Sequence, residues 1–281
     1  MTTALQQTDD RAELTTLITA MTGELVRQWK RLATAQDNLL HTLERIQRGF
    51  GATTRINGII TDFNQQVGEF SRLTTALAER WAAQDLPIAY RDGAQRALRK
   101  AGADLSLFQW STGHQAAITG LTATFYTDLV GRIQEAVRRA QAFARAAQDA
   151  TREVTLGRNH DRLDSARLAA DHPLSTIIYR DSSRHPVKSW AQSALTYQGV
   201  VTANHGAINT GALDLEAAWF ECVDGPECGF VSHQDTDHAS GTIRSADDAA
   251  AYPTAHHGCI REWIPRPDLN NRRGLVSGDP A

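Results

Sequence analysis

The sequence predicts a mainly α-helical protein, an elongated N-terminal helical bundle followed by a small, loop-rich α+β module. Three observations predict it. Apolar residues recur every three or four positions through most of residues 1–156. Beyond Gly211 that period gives way to aromatic and β-branched residues set between turn-forming ones. The cysteines, Cys222, Cys228 and Cys259, all lie in that last part.

The first stripe is Leu14, Ile18, Met21, Leu25, Leu32, Leu39, Leu43, Ile46 and Phe50, one face of a long helix that Gly51 should stop. A second stripe follows: Ile56, Ile59, Phe63, Val67, Phe70, Leu77 and Trp81. Joined at FGATTR, the two should pair as an antiparallel hairpin. Pro87 and Gly93 predict a turn, with a short helix from Ala94 to Ala101. A third long stripe runs through Ile118, Leu121, Phe125, Leu129, Ile133, Val137, Ala140 and Ala144. These stripes read as packing faces.

Residues 157–185 mix short apolar pieces with turn residues and predict a linker or irregular hinge, with a short helix at 161–170. Pro186 suits the first position of another helix, where its missing N–H costs nothing. Val187, Trp190, Ala194, Tyr197, Val201 and Ile208 carry that helix to about Thr210. Ala217–Val223 is the best strand candidate, DGPECG is turn chemistry, and GTIRS predicts a second short strand. Ser245 should cap a helical turn with acids in its first positions. The division expected is a bundle over 1–156, a hinge over 157–185, a C-terminal module over 186–270 and a frayed tail over 271–281.

Bulk properties narrow the function classes. A chain of 281 residues holds one large or two ordinary domains. A formal net charge of −3 argues against a surface coated in basic charge for nucleic acid. Only Lys30, Lys100 and Lys188 are lysines, and the dominance of arginine reads as coding composition. Arg132, Arg138, Arg139, Arg145, Arg152, Arg158, Arg162 and Arg167 could touch phosphates. They are interleaved with Glu135, Asp149, Glu153, Asp161 and Asp164, which favours a solvated face. MTTALQQTDD is too polar for a secretory signal, and no run approaches the ~20 apolar residues of a membrane span. The expectation is a cytoplasmic chain with reduced thiols.

The chemistry-bearing residues concentrate late: Cys222, Cys228, His233, His238, His256, His257 and Cys259. A tetrahedral zinc site takes four such ligands. Cys222 and Cys228 could supply one pair across the DGPE turn, and His256 and Cys259 the other, with His233 as an alternative. A loop-rich module with little core gains from such a staple. Two catalytic arrangements use the same letters. Cys228 or Cys259 could pair with His233 or His256 as nucleophile and base, or His233, Asp235, Asp237 and His238 could hold a hydrolytic metal. Turn closure explains the same residues without chemistry.

The run from Trp219 to Pro267 resembles the C-terminal segment of tailed-phage minor capsid proteins, the Mu F-like head morphogenesis family. The pattern there is a strand, then D-G-x-x-C-G, S-H-x-D, N-G-T and P-x-x-H-P-N-C-R. It is matched by Asp224, Gly225, Cys228, Gly229, Ser232, His233, Asp235, Gly241, Thr242, Pro253, His256 and Cys259. Ser240 stands in the asparagine place, His257-Gly258 replaces Pro-Asn, and Ile260 replaces the arginine. The preceding helix, 185–213, is similar to the family's amphipathic lead-in. The resemblance implies a structural virion protein, not an enzyme. Its partners would be the phage portal protein or the major capsid protein, with contact to packaged DNA and none to membrane. Its location would be inside the capsid head, and the host cytoplasm during assembly. A structural zinc or buried thiol packing would then staple the module. The alternative from the cluster alone is a metal-dependent hydrolase or thiol protease, and a DNA-binding assembly factor is a third reading.

Overall fold

A computed structural model of the chain describes residues 11–46, 50–155, 157, 163–179, 181–224 and 238–281. The protein is mainly α, with a small α+β part at the C-terminal end. The helices are α1 (Ala12–Glu44), α2 (Ala52–Arg80), α3 (Leu86–Lys100), α4 (Thr112–Thr155), α5 (Ser165–Asp171), α6 (Val187–Asp214) and α7 (Ala246–Ala251). The strands are β1 (Thr176–Ile178), β2 (Arg184–Pro186), β3 (Trp219–Val223), β4 (Ile243–Ser245) and β5 (Glu262–Pro265). Two compact units form: 1–21, 80–126 and 192–281 in one, 22–79 and 127–191 in the other. Neither is a continuous stretch of chain.

In the unit made of 22–79 and 127–191, Phe63, Phe70 and Trp190 of the predicted faces meet Trp29 and Phe143, which the predicted stripes left out. Trp29 packs edge-on to Phe70 at 4.8 Å and tilts against Trp190 at 5.6 Å, and Phe63 meets Phe143 at 5.5 Å. Each such ring removed from water contributes about 1.5–3 kcal/mol. The stretch expected as a hinge contains α5, with Asp164 accepting from Arg167 N–H at its N-cap, and a β1–β2 hairpin that the sequence reading did not anticipate. Two of the arginines expected on a solvated face hold this segment instead. Arg139 Nη1 donates to Pro173 O and Thr176 O at 2.8 and 3.0 Å, and Arg132 Nη1 donates to Ile178 O at 3.2 Å. Arg132 also lies over the Tyr179 ring. Their three-residue strands have too few backbone partners of their own, so side-chain donors satisfy the carbonyls. Arg138, Arg145 and Arg167 are exposed as expected.

In the other unit the expected turn at Pro87–Gly93 is absent. A π-helical turn, Trp81–Asp85, joins α2 to α3, with Leu86 N–H donating to Trp81 O. Pro87, which has no N–H to donate, sits in the first turn of α3 directly after the π-helical turn. Gly93 lies inside α3 because α6 passes there: a Cβ on Gly93 would sit 1.8 Å from Ala203 O. Gly206 answers it, its Cβ position lying 2.0 Å from Tyr90 O.

The sheet order is β4-β3-β5, antiparallel throughout. Phe220, Cys222 and Trp263 form its buried face with Ile208 of α6. Ser245 caps α7 as expected, accepting from Asp248 N–H at 3.2 Å. The strand β5, which the sequence reading missed, is buried along its whole length. The tail 271–281, expected to fray, is bound along the outer edge of β4. Ile243 N–H donates to Asp279 O at 2.7 Å, Gly278 N–H to Ile243 O at 2.8 Å and Ala281 N–H to Gly241 O at 3.0 Å. An open strand edge offers unpaired donors and acceptors, and the tail satisfies them. Among the described residues no helix is long and apolar enough to cross a membrane.

Candidate functional site

Alternation along β3 turns Phe220 and Cys222 to the sheet's buried face, and Asp224 follows at the strand's end. The Cys222 thiol lies 3.8 Å from Asp224 Oδ1, and the Cys259 thiol lies 3.8 Å from the same oxygen. Arg261 N–H donates to Cys259 Sγ at 3.3 Å. The Arg261 guanidinium takes Asp224 in a fork, Nε to Oδ1 at 2.6 Å and Nη2 to Oδ2 at 2.9 Å. Its third arm, Nη1, donates to Tyr252 O at 3.2 Å.

The Arg261 backbone is held as firmly. Asn204 Nδ2 donates to Arg261 O at 2.8 Å and to Pro253 O at 2.7 Å, and Arg11 Nη2 donates to Arg261 O. The next residue, Glu262, receives Lys100 Nζ at 2.6 Å and Arg96 Nε at 3.3 Å. The Arg96 contact is an ion pair by distance without hydrogen-bond alignment. Burial works against the Glu262 carboxylate, but Arg96, Arg11 and Lys100 outweigh it and hold it below the usual carboxylate range. Burial, then the neighbouring Arg96, lowers Arg11 to about 10. Burial raises Asp92, against the pull of Arg96.

The predicted ligands divide accordingly. Cys222 and Cys259 converge on one carboxylate. His256 Nδ1 lies 2.9 Å from His257 O, and His256 O accepts Cys259 N–H at 3.1 Å in a tight turn. His238 is exposed at φ 46°. Cys228, His233, Asp235 and Asp237 lie outside the described residues. Among the described residues no group of three or more His, Cys, Asp or Glu side chains could hold a metal ion. Cys222 and Cys259 fit two places of a tetrahedral zinc set, and an N–H donated to sulfur favours the thiolate that zinc takes. Two further ligands, Cys228 with either His256 or His233, would have to complete it.

The sequence reading missed the ionic half of this site. One signal was available: Asp92, Arg96 and Lys100 stand four apart on one face of α3, a charged row beside the buried Tyr90, Ala94, Ala97 and Leu98. Ile260 stands where the resemblance expects an arginine, and the adjacent Arg261 is the residue that holds Asp224.

A second polar chain lies in the same unit. His114, fully buried, sits between Asp214, Nε2 to Oδ2 at 3.1 Å, and Tyr90, Nδ1 to Oη at 2.8 Å. Asn209 Nδ2 donates to Tyr90 Oη at 2.9 Å. The Asp214 carboxylate can only accept, and the Tyr90 oxygen already accepts from Asn209, which assigns the tautomer: Nε2–H donates to Asp214, and Nδ1 accepts from the phenol. Burial pushes the Tyr90 phenol up to about 12, which keeps it a donor. The arrangement ties α3, α4 and α6 together. Searches for similar proteins return none: no family model matches the chain, nor does any curated protein or solved structure.

Proposed function

We propose that the chain is a structural, non-enzymatic minor capsid protein of a tailed phage, acting in head morphogenesis by binding the portal or major capsid protein. The reading rests on the order of motif residues between Trp219 and Pro267. The observation that carries it furthest is the cluster of Cys222, Asp224, Cys259 and Arg261. Asp224 and Cys259 belong to the matched pattern, and both are buried against partners inside the module. A nucleophile must meet its substrate; these thiols face a carboxylate in the core. That favours a staple over a reaction centre.

In this reading the C-terminal module anchors the protein in the head, and the long helices supply contact surface to neighbours and to packaged DNA. A zinc ion held by Cys222, Cys228, Cys259 and either His256 or His233 would be the staple, supplying cross-linking and no turnover. The test is the protein composition of purified virions together with co-purification of the portal protein. Presence in the capsid at defined copy number supports the reading; a virion lacking the chain overturns it.

A further inference from the structure

The segment 276–281 lies along the outer edge of β4 as an added strand, and main chain holds it there. Ile243 N–H donates to Asp279 O at 2.7 Å, and Ile243 O accepts from Gly278 N–H at 2.8 Å. Gly241 O accepts from Ala281 N–H at 3.0 Å, and Thr242 bridges Pro280 in the antiparallel sense. One side chain joins in: Ser277 Oγ accepts from Ser245 N–H at 2.9 Å and donates to Asp248. Apolar burial adds little. Val276 is 61% exposed, and within 274–281 only Leu275 and Asp279 are partly buried. Bonds of this kind replace bonds to water, so their net worth is small and must also offset the ordering of the residues. An element so held opens on its own while the sheet stays folded.

We infer that the outer edge of β4 is an exchange site that takes the 276–281 segment of a second copy of this chain. The bonds above fix the occupant. A second copy brings the same Gly278 and Ala281 donors, the same Asp279 acceptor and the same Ser277 hydroxyl, and remakes each bond in trans. An identical element is the low-cost donor for an edge that reads backbone. The arm allows it. Asn270 is fixed by bonds to Glu216 O and Ala218 N–H, and the exposed stretch from there to Gly278 spans about 26 Å when extended. Closed and exchanged forms make the same bonds, so chain concentration sets the balance between them. The inference is independent of the head-assembly reading.

The test uses the full chain and a labelled peptide of residues 271–281. Gly278→Pro removes the N–H given to Ile243 O and forbids the φ of 105° at that position, so it frees the segment and opens the edge. The variant should bind the peptide at one saturable site. Wild type, its edge filled in cis, should bind it about tenfold or more weakly. Sedimentation of wild type near millimolar concentration, the effective concentration of a short tethered segment, should show dimers that the free peptide disperses and that Gly278→Pro lacks. Native-state hydrogen exchange of dilute wild type needs no variant. The Gly278 and Ala281 N–H should exchange about tenfold or more faster than the Cys222 N–H, which Thr242 O accepts on the inner side of β4. Equal protection of these amides overturns the inference, as does a folded Gly278→Pro that ignores the peptide, or an absence of dimers the peptide can disperse. A scrambled peptide that binds equally well also overturns it, and gives the edge to strands of other proteins.

Discussion

Arg261 holds Asp224 with two guanidinium hydrogen bonds, and the two side chains are 0 and 1% exposed. The residues are far apart in sequence, so the pair closes the module's loop on itself. Both charges have left water, and the fork geometry, the bond to Tyr252 O, the Trp263 ring against the guanidinium and the Cys222 and Cys259 thiols on Asp224 offset that cost. Breaking one side therefore differs from removing both.

Asp224→Leu should destabilise the protein by about 3–5 kcal/mol, because it leaves the Arg261 charge buried without a counter-charge. Arg261→Met should cost about the same for the converse reason. The double variant Asp224→Leu/Arg261→Met should recover most of the loss. Urea denaturation of the four proteins as a double-mutant cycle checks this. Additive losses in the double variant would mean that the pair is not coupled.

Glu262 and Asp92 should respond to pH in opposite directions. Glu262 is depressed in the folded state, so its contribution is present above the unfolded value of about 4.3 and lost as pH falls through the lower folded value. Wild type should therefore lose on acidification an increment that Glu262→Gln lacks. Asp92 is raised by burial, so its cost to stability sets in as pH passes the unfolded value and is complete above the raised folded value. Asp92→Asn should stabilise at pH 7, with the gain vanishing below about pH 4. Melting temperatures of the three proteins between pH 3 and 8 decide it.

What was legible in the sequence was whatever repeats locally. The stripes through Leu14, Phe63 and Ile133 mark buried faces because helical period and burial coincide. Ser245 was legible because a cap is decided within four residues. Pro87 misled, since a proline that breaks a helix and one that begins it look alike; only the π turn before it separates the cases. β5 was hidden because its charged Glu262 is buried by Arg96 and Lys100, far away in the chain. Cys222 and Cys259 were anticipated in one four-ligand set, each in a different pair, but Asp224 as the centre where they meet was not, because the centre depends on Arg261 and Asn204 arriving from other elements.

Tyr90→Phe removes the hydroxyl that both His114 and Asn209 use. Two buried or half-buried polar groups lose a partner, and a loss of about 1–3 kcal/mol is expected. Asp214→Asn should cost less, because Asp214 is partly exposed and its amide oxygen can still accept from Nε2–H. Thermal melts give the order, and ¹⁵N shifts of His114 report the tautomer. A His114 ring with Nδ1–H as the dominant neutral form would contradict the assigned direction of the chain.

The crossing of α3 and α6 predicts an inversion of ordinary glycine behaviour. Inside a helix, glycine costs about 1 kcal/mol relative to alanine, so replacement normally stabilises. Gly120 and Gly131 of α4 have open space at the Cβ position, and Gly120→Ala and Gly131→Ala should each raise stability by about 0.5–1 kcal/mol. Gly93→Ala and Gly206→Ala place a methyl group 1.8 and 2.0 Å from backbone oxygens of the opposite helix. Backbone cannot turn aside as a side chain can, so the helices must separate and the packing of Tyr90 and Ala94 against Phe108 must loosen. A loss of about 3 kcal/mol or more is expected at each, at the upper end of overpacking costs. Denaturant midpoints of the four variants measure both signs at once. A neutral Gly93→Ala would show that the two helices do not approach at this point.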